Sequence, residues 1–288
     1  MTHITFLGFG EAAQSIAAGL KGKARMSAFD LRFAQGEGPL RDAAAARGVT
    51  PLNDLAGIAD SDIVLSLVVG SAARNVASDA APHLGRGTIY LDLNSVGPAT
   101  KAEAATAIAG GAGVFVEGAV MARVPPHGER VPVLVAGAEA QRAADTLNPL
   151  GMKLEVVGTG AGQASALKMI RSVMVKGVEA LLIEALTAAE RAGVTERILD
   201  SVGETFPGID WRETADYYLS RSFEHGQRRV TEMTEAAETI EQLGLAAEMS
   251  RAACRTIATA HAGMQGHGLT AQGGYRAFVP VLAAQGKI

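Results

Sequence analysis

The feature that most restricts how this chain can fold is a glycine pattern close to its start. Gly8-x-Gly10-x-x-Ala13 follows the apolar run of residues 4–7 and opens an alanine-rich segment that is helical in pattern to Leu20. In such a strand-turn-helix unit, the first glycine permits the tight turn, the second lets a pyrophosphate approach the backbone, and the small third residue lets helix and strand pack. The pattern predicts a Rossmann-type dinucleotide-binding βαβ unit. An ordinary βα turn that uses glycine only for its geometry is the alternative.

The end of the second β-like run bears on the choice of cofactor. Asp30 lies 22 residues after Gly8, where a carboxylate accepts hydrogen bonds from the ribose hydroxyls of NAD. Arg32 is a group that binds the additional phosphate of NADP. We predict NAD as the preferred cofactor and NADP as the second choice. Alternatively, Asp30 only begins a turn and Arg32 is solvated. The predicted cofactor contacts are Gly8, Phe9, Gly10, Glu11, Ala12, Ala13, Asp30, Arg32, Val68, Val69 and Asn94.

Alternating β-like and alanine-rich runs occupy the first 157 residues, which is typical of a parallel sheet covered by helices. The predicted strands are 4–7, 25–29, 63–68, 88–91, 114–117, 131–135 and 154–157.

The β character stops after the glycine-rich segment 158–162, and residues 163–192 predict one long helix. The rest is helical in pattern, with interruptions at Pro207-Gly208, at Gly226 and at 263–274. We predict a Rossmann-type α/β N-terminal domain joined by a long helix to an all-α domain for substrate binding and dimerisation. The predicted boundaries are 1–160, 161–192 and 193–288.

Charge and cysteine content narrow the classes of partner. The net charge of -4 and the pI near 5.9 provide no basic surface for nucleic acid or an anionic membrane, so a small-molecule partner is predicted. Cys254 is the single cysteine, which excludes an intramolecular disulfide, and no metal site is predicted. We see no signal peptide and no apolar stretch of the roughly 18 residues that span a bilayer, and expect a cytoplasmic protein.

Three motifs, in order, resemble those of the β-hydroxyacid dehydrogenases, the family that contains 3-hydroxyisobutyrate and 6-phosphogluconate dehydrogenases. The first is FLGFGEAA at residues 6–13, in which Glu11-Ala12 replaces a more usual methionine-glycine pair. The second is DLNSVGP at residues 92–98, whose asparagine-serine pair is similar to the phosphogluconate branch. The third is GAG at residues 160–162, followed by Lys168. The tail resembles a poorly characterised branch described as phosphogluconate dehydrogenase-like.

The resemblance implies that Lys168 is the catalytic acid or base, which takes the hydroxyl proton while hydride leaves carbon. Its neighbours Leu167 and Met169 are apolar, and partial desolvation lowers the pKa of a lysine toward neutrality. The alternative places Lys168 on a solvated helix face together with Arg171 and Lys176.

Two later helix positions depart from the family's pattern. Ser172 lies one turn after Lys168, where the family has an asparagine that binds the substrate. Serine can still donate a hydrogen bond over a shorter reach, although packing or bonding back to the Lys168 carbonyl is the alternative. The decarboxylating members have a glutamate seven residues after the lysine, and here that position is Val175. We therefore predict alcohol oxidation or ketone reduction without decarboxylation.

Further substrate contacts are expected in the first domain. Ser95 follows a strand at the carboxyl edge of the sheet, where ligands bind in this fold. The family's serine-glycine-glycine stretch, whose N–H groups bind the substrate carboxylate, corresponds to Met121-Ala122-Arg123. Arg123 either adds a charge-assisted contact or is an exposed loop arginine.

In the second domain, His225-x-x-Arg228-Arg229-x-x-Glu232 is predicted to begin a helix that places these side chains on one face. Glu232 resembles the family's late acidic residue. Its preceding basic partner is missing, so Arg228 or Arg229 must replace it. A solvated helix face or a subunit contact is the alternative.

Together these patterns favour an NAD(P)-dependent dehydrogenase that acts on a small or sugar-like hydroxy acid, or on the corresponding keto acid. The resemblance implies a homodimer formed through the helical domain. Methionines on predicted apolar helix faces, Met174 among them, are expected to pack in the interior. An imine reductase-like NADPH enzyme is one alternative, disfavoured because such enzymes commonly have aspartate or tyrosine in place of Lys168. A non-catalytic dinucleotide-binding module is another.

Overall fold

A computed structural model of the chain describes residues 1–36 and 38–285, so the last three residues of the predicted helical domain lie outside the described part. The chain divides into two compact units, one formed by Met1–Lys168 and one that begins at Met169. The first is an α/β unit and the second is helical, as the sequence predicts.

Across the described ranges, the first unit contains one eight-stranded sheet with the order β3-β2-β1-β4-β5-β6-β7-β8. The strands are β1 His3–Leu7, β2 Arg25–Phe29, β3 Val49–Leu52, β4 Ile63–Ser66, β5 Ile89–Asp92, β6 Val114–Val120, β7 Pro132–Ala136 and β8 Lys153–Gly158. The helices of this unit are α1 Glu11–Leu20, α2 Leu31–Ala34, α3 Gly38–Ala46, α4 Ala73–Ala80, α5 Pro98–Ala109, α6 Val124–His127 and α7 Ala140–Leu147.

The sheet differs from the sequence prediction in two places. Strand β3 was not predicted, because it is a short edge strand that contains Pro51, and proline within a run argues against a strand. Strand β7 pairs antiparallel with β6, whereas the other neighbouring strands pair parallel. The segment between β6 and β7 is too short for the helical crossover that parallel neighbours require.

Helices cover both faces of the sheet. On one face, Ile16 and Leu20 of α1 pack with sheet residues such as Phe6, and all three are fully buried. On the other face, α4 and α5 pack against Val64 and Tyr90. Burial on both faces explains why the central strands read as continuous apolar runs rather than alternating ones.

The long helix α8 spans Gln163–Arg191, in agreement with its predicted range. It is followed by α9 Thr195–Thr205, α10 Trp211–Gln242, α11 Glu248–Met264 and α12 Gly274–Ala284. The predicted interruptions at Pro207-Gly208 and at 263–274 separate these helices, as expected.

Helix α10 is kinked at His225, the residue at which a helix was predicted to begin. The helical run itself begins at Trp211, where the side chain of Asp210 accepts hydrogen bonds from the N–H groups of Arg212 and Glu213. His225 departs from helical geometry, with φ -131° and ψ 18°, so two helical segments meet at the predicted position. Gly226, the predicted interruption, directly follows the kink, and a Cβ there would lie 2.2 Å from the His261 ring.

Candidate active site

The reversal of strand order places the candidate site at the carboxyl ends of the central strands. From β1 the chain continues to β2 and β3 on one side, and then crosses to β4 on the other side. Ligands of open α/β sheets bind outside the carboxyl ends of the strands at this switch point. The glycine loop follows β1, and residues 67–69 follow β4. Asn94 and Ser95 follow the next strand, β5.

Two glycines of the loop meet different constraints. Gly8 has a φ of 81°, and a Cβ there would lie 2.7 Å from the Leu67 carbonyl oxygen, so the turn between β1 and α1 excludes other residues. Gly10 begins α1 with extended geometry, and a Cβ there would meet no described atom within 4 Å. The protein's own packing does not require glycine at position 10, which agrees with a role in admitting a ligand. Ala13 is fully buried.

The other loop residues contribute in different ways. The Phe9 ring is fully buried and contacts the rings of Phe6 and Phe33, while its N–H donates to Asp30 at 2.8 Å. The ring and the N–H group of Phe9 are therefore both engaged within the protein. Glu11 is exposed and Ala12 half-buried in the first turn of α1, where backbone N–H groups favour an anion.

The carboxylate of Asp30 has each of its acceptor positions in use. Oδ1 accepts from the backbone N–H of Arg32 at 3.0 Å and from its Nε at 2.9 Å. Oδ2 accepts from the Phe9 N–H and from Arg32 Nη2 at 2.9 Å. Because a carboxylate has about four acceptor sites, ribose hydroxyls can bind Asp30 only when the Arg32 side chain moves. That side chain is 42% exposed, so moving it costs little electrostatic energy.

The same contacts determine the charge of Asp30. Partial burial by itself raises the pKa of its carboxyl, but the hydrogen bonds from the Arg32 side chain, the Phe9 N–H and the Arg32 N–H outweigh burial and hold the pKa below its ordinary value. Asp30 is therefore ionised at neutral pH. It also begins α2, and Arg32 is paired with it rather than simply solvated.

The residues after β4 and β5 are connected through Asn94. Its Oδ1 accepts from the Val68 N–H at 2.7 Å, and its Nδ2 donates to Ser66 Oγ at 2.9 Å. Asn94 is buried, so its side chain joins the two strand ends, whereas the Val69 side chain beside it is exposed. The side-chain amide of Asn94 is thus engaged within the protein at both of its polar atoms.

A buried ion pair supports the Asn94-Ser95 loop. Lys101 Nζ lies 3.1 Å from Asp92 Oδ1 and donates to the carbonyl oxygens of Asp92 and Gly118. Asp92 Oδ1 also accepts from the Asn94 N–H at 2.9 Å. Both charged side chains are almost fully buried. This pair was not predicted from the sequence, although an aspartate at the end of a strand followed by a lysine in the next helix was a visible signal.

Lys168 and Ser95 meet in the structure. Lys168 Nζ donates a hydrogen bond to Ser95 Oγ at 3.0 Å, within the first unit. The two residues lie 73 positions apart and were predicted separately. Ser95 is exposed and Lys168 half-buried in the isolated chain. An ammonium group and a hydroxyl therefore lie within hydrogen-bonding distance of each other.

Glu117 determines where the helix that carries Lys168 begins. It is fully buried on β6, and its Oε1 accepts from the Ala164 N–H at 2.7 Å while Oε2 accepts from Ser165 Oγ at 2.9 Å. The first N–H groups of a helix have no partner within the helix, and a carboxylate there also favours the helix dipole. Glu117 thus anchors α8 one turn before Lys168. The role of Glu117 was not predicted from the sequence, because its partners lie 47 and 48 positions away.

The segment Met121-Ala122-Arg123 is only partly available as a set of backbone donors. The Met121 N–H donates to the Pro132 carbonyl oxygen at 2.9 Å, which extends the pairing of β6 with β7. Ala122 and Arg123 are exposed. The predicted substrate contacts of this segment therefore concern Ala122 and Arg123 more than Met121.

The second unit joins Ser172 and Glu232 through Lys176. Lys176 Nζ donates to Ser172 Oγ at 3.2 Å and lies 3.0 Å from Glu232 Oε2. Arg228 Nε lies 3.6 Å from Glu232 Oε1. The alternative that Lys176 is solvated is wrong, because its side chain is only 8% exposed.

Arg229 does not replace the missing basic partner of Glu232. Its guanidinium forms an ion pair with the buried Glu179, which also accepts a hydrogen bond from Ser222. Burial raises the pKa of the Glu179 carboxyl, and the contacts from Arg229 and Ser222 counteract that rise. Of the two predicted substitutes, Arg228 is therefore the one that pairs with Glu232.

Residues 1–36 and 38–285 contain no group of three or more His, Cys, Asp and Glu side chains placed to hold a metal ion. No helix in the same ranges has the length and apolar character needed to cross a membrane.

Comparison with known proteins identifies the family. Residues 189–259 match the family model described as Domain of unknown function (DUF1932). The solved structure of a conserved hypothetical protein from Sinorhizobium meliloti 1021 is 69% identical, covers 98% of this chain and 96% of that chain, and has a TM-score of 0.92. Conserved protein MTH1747, described as similar in structure to 3-hydroxyacid dehydrogenases, is 32% identical over 89% of this chain and 96% of that chain, with a TM-score of 0.79. The chain belongs to the β-hydroxyacid dehydrogenase family.

The fold extends to distant members. The Mycobacterium tuberculosis 3-hydroxyisobutyrate dehydrogenase solved with L-serine is 20% identical, covers 99% of this chain and 100% of that chain, and has a TM-score of 0.79. The present chain keeps the family's glycine loop and the lysine at position 168, and it differs from the family's pattern at Ser172 and at Met121-Ala122-Arg123.

Proposed function

We propose that the protein is an NAD(P)-dependent oxidoreductase that interconverts a small or sugar-like 3-hydroxy acid and the corresponding carbonyl compound. The hydrogen bond between Lys168 and Ser95 at the carboxyl edge of the sheet carries the proposal. It places an acid/base group next to a hydroxyl on the same edge as the glycine loop.

The two side chains have separate roles. Lys168 as the neutral amine takes the proton of the substrate hydroxyl during oxidation and becomes an ammonium group, which returns that proton to the carbonyl oxygen during reduction. Ser95 accepts from the ammonium group, so its own O–H can donate to the same substrate oxygen. When bound, the nicotinamide supplies the hydride transfer. Glu117 holds the start of α8, and hence Lys168, in place.

The glycine loop fits a dinucleotide. The tight turn at Gly8, the open surroundings of Gly10 and the N-terminus of α1 suit a pyrophosphate. We propose NAD as the preferred cofactor, because the ionised Asp30 suits ribose hydroxyls and repels an added phosphate. If Arg32 instead leaves Asp30 to bind that phosphate, NADP is favoured.

The reaction we propose does not include decarboxylation. Val175 occupies the position at which the decarboxylating relatives have an acidic residue, and valine cannot protonate an enol. Imine reduction is the second candidate, and the presence of Lys168 argues against it. A binding module without turnover is the third, and the pairing of Lys168 with Ser95 argues against that.

One assay tests this proposal. The wild-type protein is mixed with NAD or NADP and with 3-hydroxyisobutyrate, 3-hydroxypropionate, glycerate, 6-phosphogluconate or L-serine, and reduced nicotinamide is followed by absorbance. We expect reduction with at least one acid, more with NAD than with NADP, and no release of carbon dioxide. If neither cofactor raises the melting temperature and no acid supports turnover, the proposal is wrong.

We further propose that the protein is a homodimer formed through the helical unit. Ile170, Met174 and Leu181 are exposed at helical spacing along α8. Met174, which was expected in the interior, is 71% exposed, so that expectation was wrong. A stripe of this kind is typical of a helix that packs against another copy. Light scattering should give twice the chain mass of 29.6 kDa, and a monomeric mass would contradict the proposal.

A further inference from the structure

A row of polar side chains crosses the sheet inside the first unit, near the carboxyl ends of the central strands. Ser66, Asp92 and Glu117 are register partners on β4, β5 and β6, so their side chains lie on the same face of the sheet. All three are fully buried. Two carboxylates buried on neighbouring strands carry a large free-energy cost unless a positive charge and hydrogen bonds compensate it. The row therefore needs a cation.

Lys101 supplies that cation and joins two strands. It is the fourth residue of α5, which packs on this face, and its side chain is 1% exposed. A positive charge near the start of a helix opposes the helix dipole, and burial adds to its cost. Its Nζ lies 3.1 Å from Asp92 Oδ1 and donates to the carbonyl oxygens of Asp92 at 2.7 Å and Gly118 at 3.3 Å. The ammonium group thus fastens the end of β5 to β6.

On the β5 side, the ammonium group acts on Ser95. Asp92 Oδ1, which faces the Lys101 charge, also accepts from the Asn94 N–H at 2.9 Å. Asn94 in turn accepts from the Val68 N–H at 2.7 Å. Ser95 is the next residue, so the position of its hydroxyl depends on how Asp92 is held.

On the β6 side, the same ammonium group acts on Lys168. Gly118 directly follows Glu117, whose carboxylate accepts from the Ala164 N–H at 2.7 Å at the start of α8. Ala164 lies one turn before Lys168 in that helix. A shift of β6 relative to β5 therefore moves Lys168 away from its hydroxyl partner.

We propose that Lys101 is a positioning residue that sets the contact between Lys168 and Ser95. The inference rests on the proposed function, which assigns the proton transfer to these two groups, and it adds a residue that acts from the interior without touching the substrate. By joining β5 to β6, Lys101 holds Lys168 Nζ at 3.0 Å from Ser95 Oγ. Misplacing a reacting group by about 1 Å costs on the order of 10²-fold in rate, so a small shift between the strands matters.

The first test replaces Lys101 with methionine, which removes the charge and keeps a long side chain. On an acid that the wild type oxidises, we expect kcat to fall about 10- to 100-fold. The KM for NAD should change less than about 3-fold, because the contacts of Lys101 are with β5 and β6 rather than with the glycine loop. Lys23→Met is the matched control. It makes the same change in the same unit, at a side chain that is 45% exposed and paired with Glu129, and should leave both constants unchanged.

A second variant separates positioning from charge compensation. Lys101→Met takes the cation away from the buried Asp92, which destabilises the fold. Asp92→Asn combined with Lys101→Met removes both charges and keeps an oxygen that can accept from the Asn94 N–H. We expect this double variant to melt at a higher temperature than Lys101→Met while kcat stays low, since β5 and β6 are still not joined. If kcat instead returns to the wild-type value, Lys101 only neutralises Asp92 and the inference is wrong. The double variant provides this answer even if Lys101→Met does not fold.

Ser95→Ala shows whether the effect passes through the contact. Residues that act through one contact give losses that do not add. In a Ser95→Ala background, Lys101→Met should therefore lower kcat less than about 3-fold. An equal loss in both backgrounds would indicate a general structural role and contradict the inference.

Chemical labelling measures the same contact without a substrate. The probe is acetic anhydride, which acylates neutral amines, and the rate at Lys168 is followed by mass spectrometry with the exposed Lys153 as internal reference. The hydrogen bond to Ser95 favours the charged form of Lys168, so its loss should raise the rate about 2- to 10-fold, equivalent to about 0.5–1.5 kcal/mol. We expect this rise in Ser95→Ala and also in the double variant of Asp92 and Lys101. A rise in Ser95→Ala alone would overturn the inference.

The outcomes distinguish this inference from the function on which it rests. A wild-type protein that oxidises an acid, together with Lys101 variants that keep wild-type kcat, leaves the proposed function standing and removes the positioning role. A wild-type protein that oxidises no acid and is not stabilised by NAD counts against the proposed function. The labelling rates then still decide whether Lys101 sets the contact between Lys168 and Ser95.

Discussion

Replacing Lys168 with alanine is expected to lower kcat about 10²- to 10⁴-fold, the range that a positioned acid or base contributes. The substitution removes the ammonium group that lies 3.0 Å from Ser95 Oγ and leaves no other group in that contact to move a proton. The melting temperature and the shift caused by NAD should change little, because Lys168 makes this contact on the half-exposed edge of its unit. Steady-state kinetics on an acid that supports turnover, together with thermal shift, measures both effects.

Lys153→Ala is the matched control for that experiment. Lys153 is an exposed lysine at the start of β8 in the same unit, so its loss removes one positive charge without touching the site. We expect wild-type kinetics from the control. A Lys168→Ala variant that retains more than about a tenth of wild-type kcat would fall outside the range for a positioned acid or base, and the catalytic assignment would have to be abandoned.

Replacing Asp30 with alanine is expected to weaken NAD binding about 10- to 100-fold. Hydrogen bonds to a charged group contribute about 1.5–3 kcal/mol, and each 1.4 kcal/mol changes a dissociation constant tenfold. NADP binding should weaken less or improve, because Arg32 loses its ion-pair partner and one negative charge is removed. The ratio of the two dissociation constants, measured by nucleotide titration, is the quantity to follow.

The substitution at Asp30 also removes a helix cap, which calls for a control of its own. Asp54 accepts a hydrogen bond from the Gly57 N–H at the start of the short 3-10 helix Leu55–Ile58. This helix follows β3 in the chain and is not part of the glycine loop. Asp54→Ala therefore removes a comparable cap and should leave both nucleotide affinities unchanged. An Asp30→Ala protein with wild-type affinity for NAD would show that Asp30 does not hold the ribose.

Lowering the pH is expected to reduce the contribution of the Asp30 carboxylate to the stability of the folded protein. Because the folded-state pKa of Asp30 is lowered, its ionised form contributes stability at neutral pH, and that contribution is lost as the pH falls through the lowered pKa. Between neutral pH and the ordinary range of an aspartate, its charge does not change.

The sequence by itself was sufficient to predict features that depend on residues close to one another in the chain. The βαβ unit follows from an apolar run, a glycine pattern and a helical pattern that are adjacent in the chain, and the long helix follows from an unbroken periodicity. Lys168 was identified through its position after a motif. Its partner Ser95 was also named, but only the folded chain showed that the two are in contact.

Other features depend on which elements pack together. Strand β3 pairs with β2 at the sheet edge, and its proline concealed it from a local pattern. The antiparallel direction of β7 became visible only from its pairing with β6. The sequence indicates the kink at His225, but the close packing of Gly226 against His261 of α11 is visible only in the folded chain.

The sequence alone therefore determined the fold class, the glycine loop and the lysine that we propose as catalytic, because each depends on residues within a few turns of one another. The tertiary structure alone decided the charge partners. Arg229 pairs with Glu179, Lys176 with Glu232, and Glu117 with the start of α8. Ion pairs and buried hydrogen bonds form between whichever groups the fold brings within about 4 Å of each other. Such proximity between residues far apart in the chain produces no repeating pattern in the sequence.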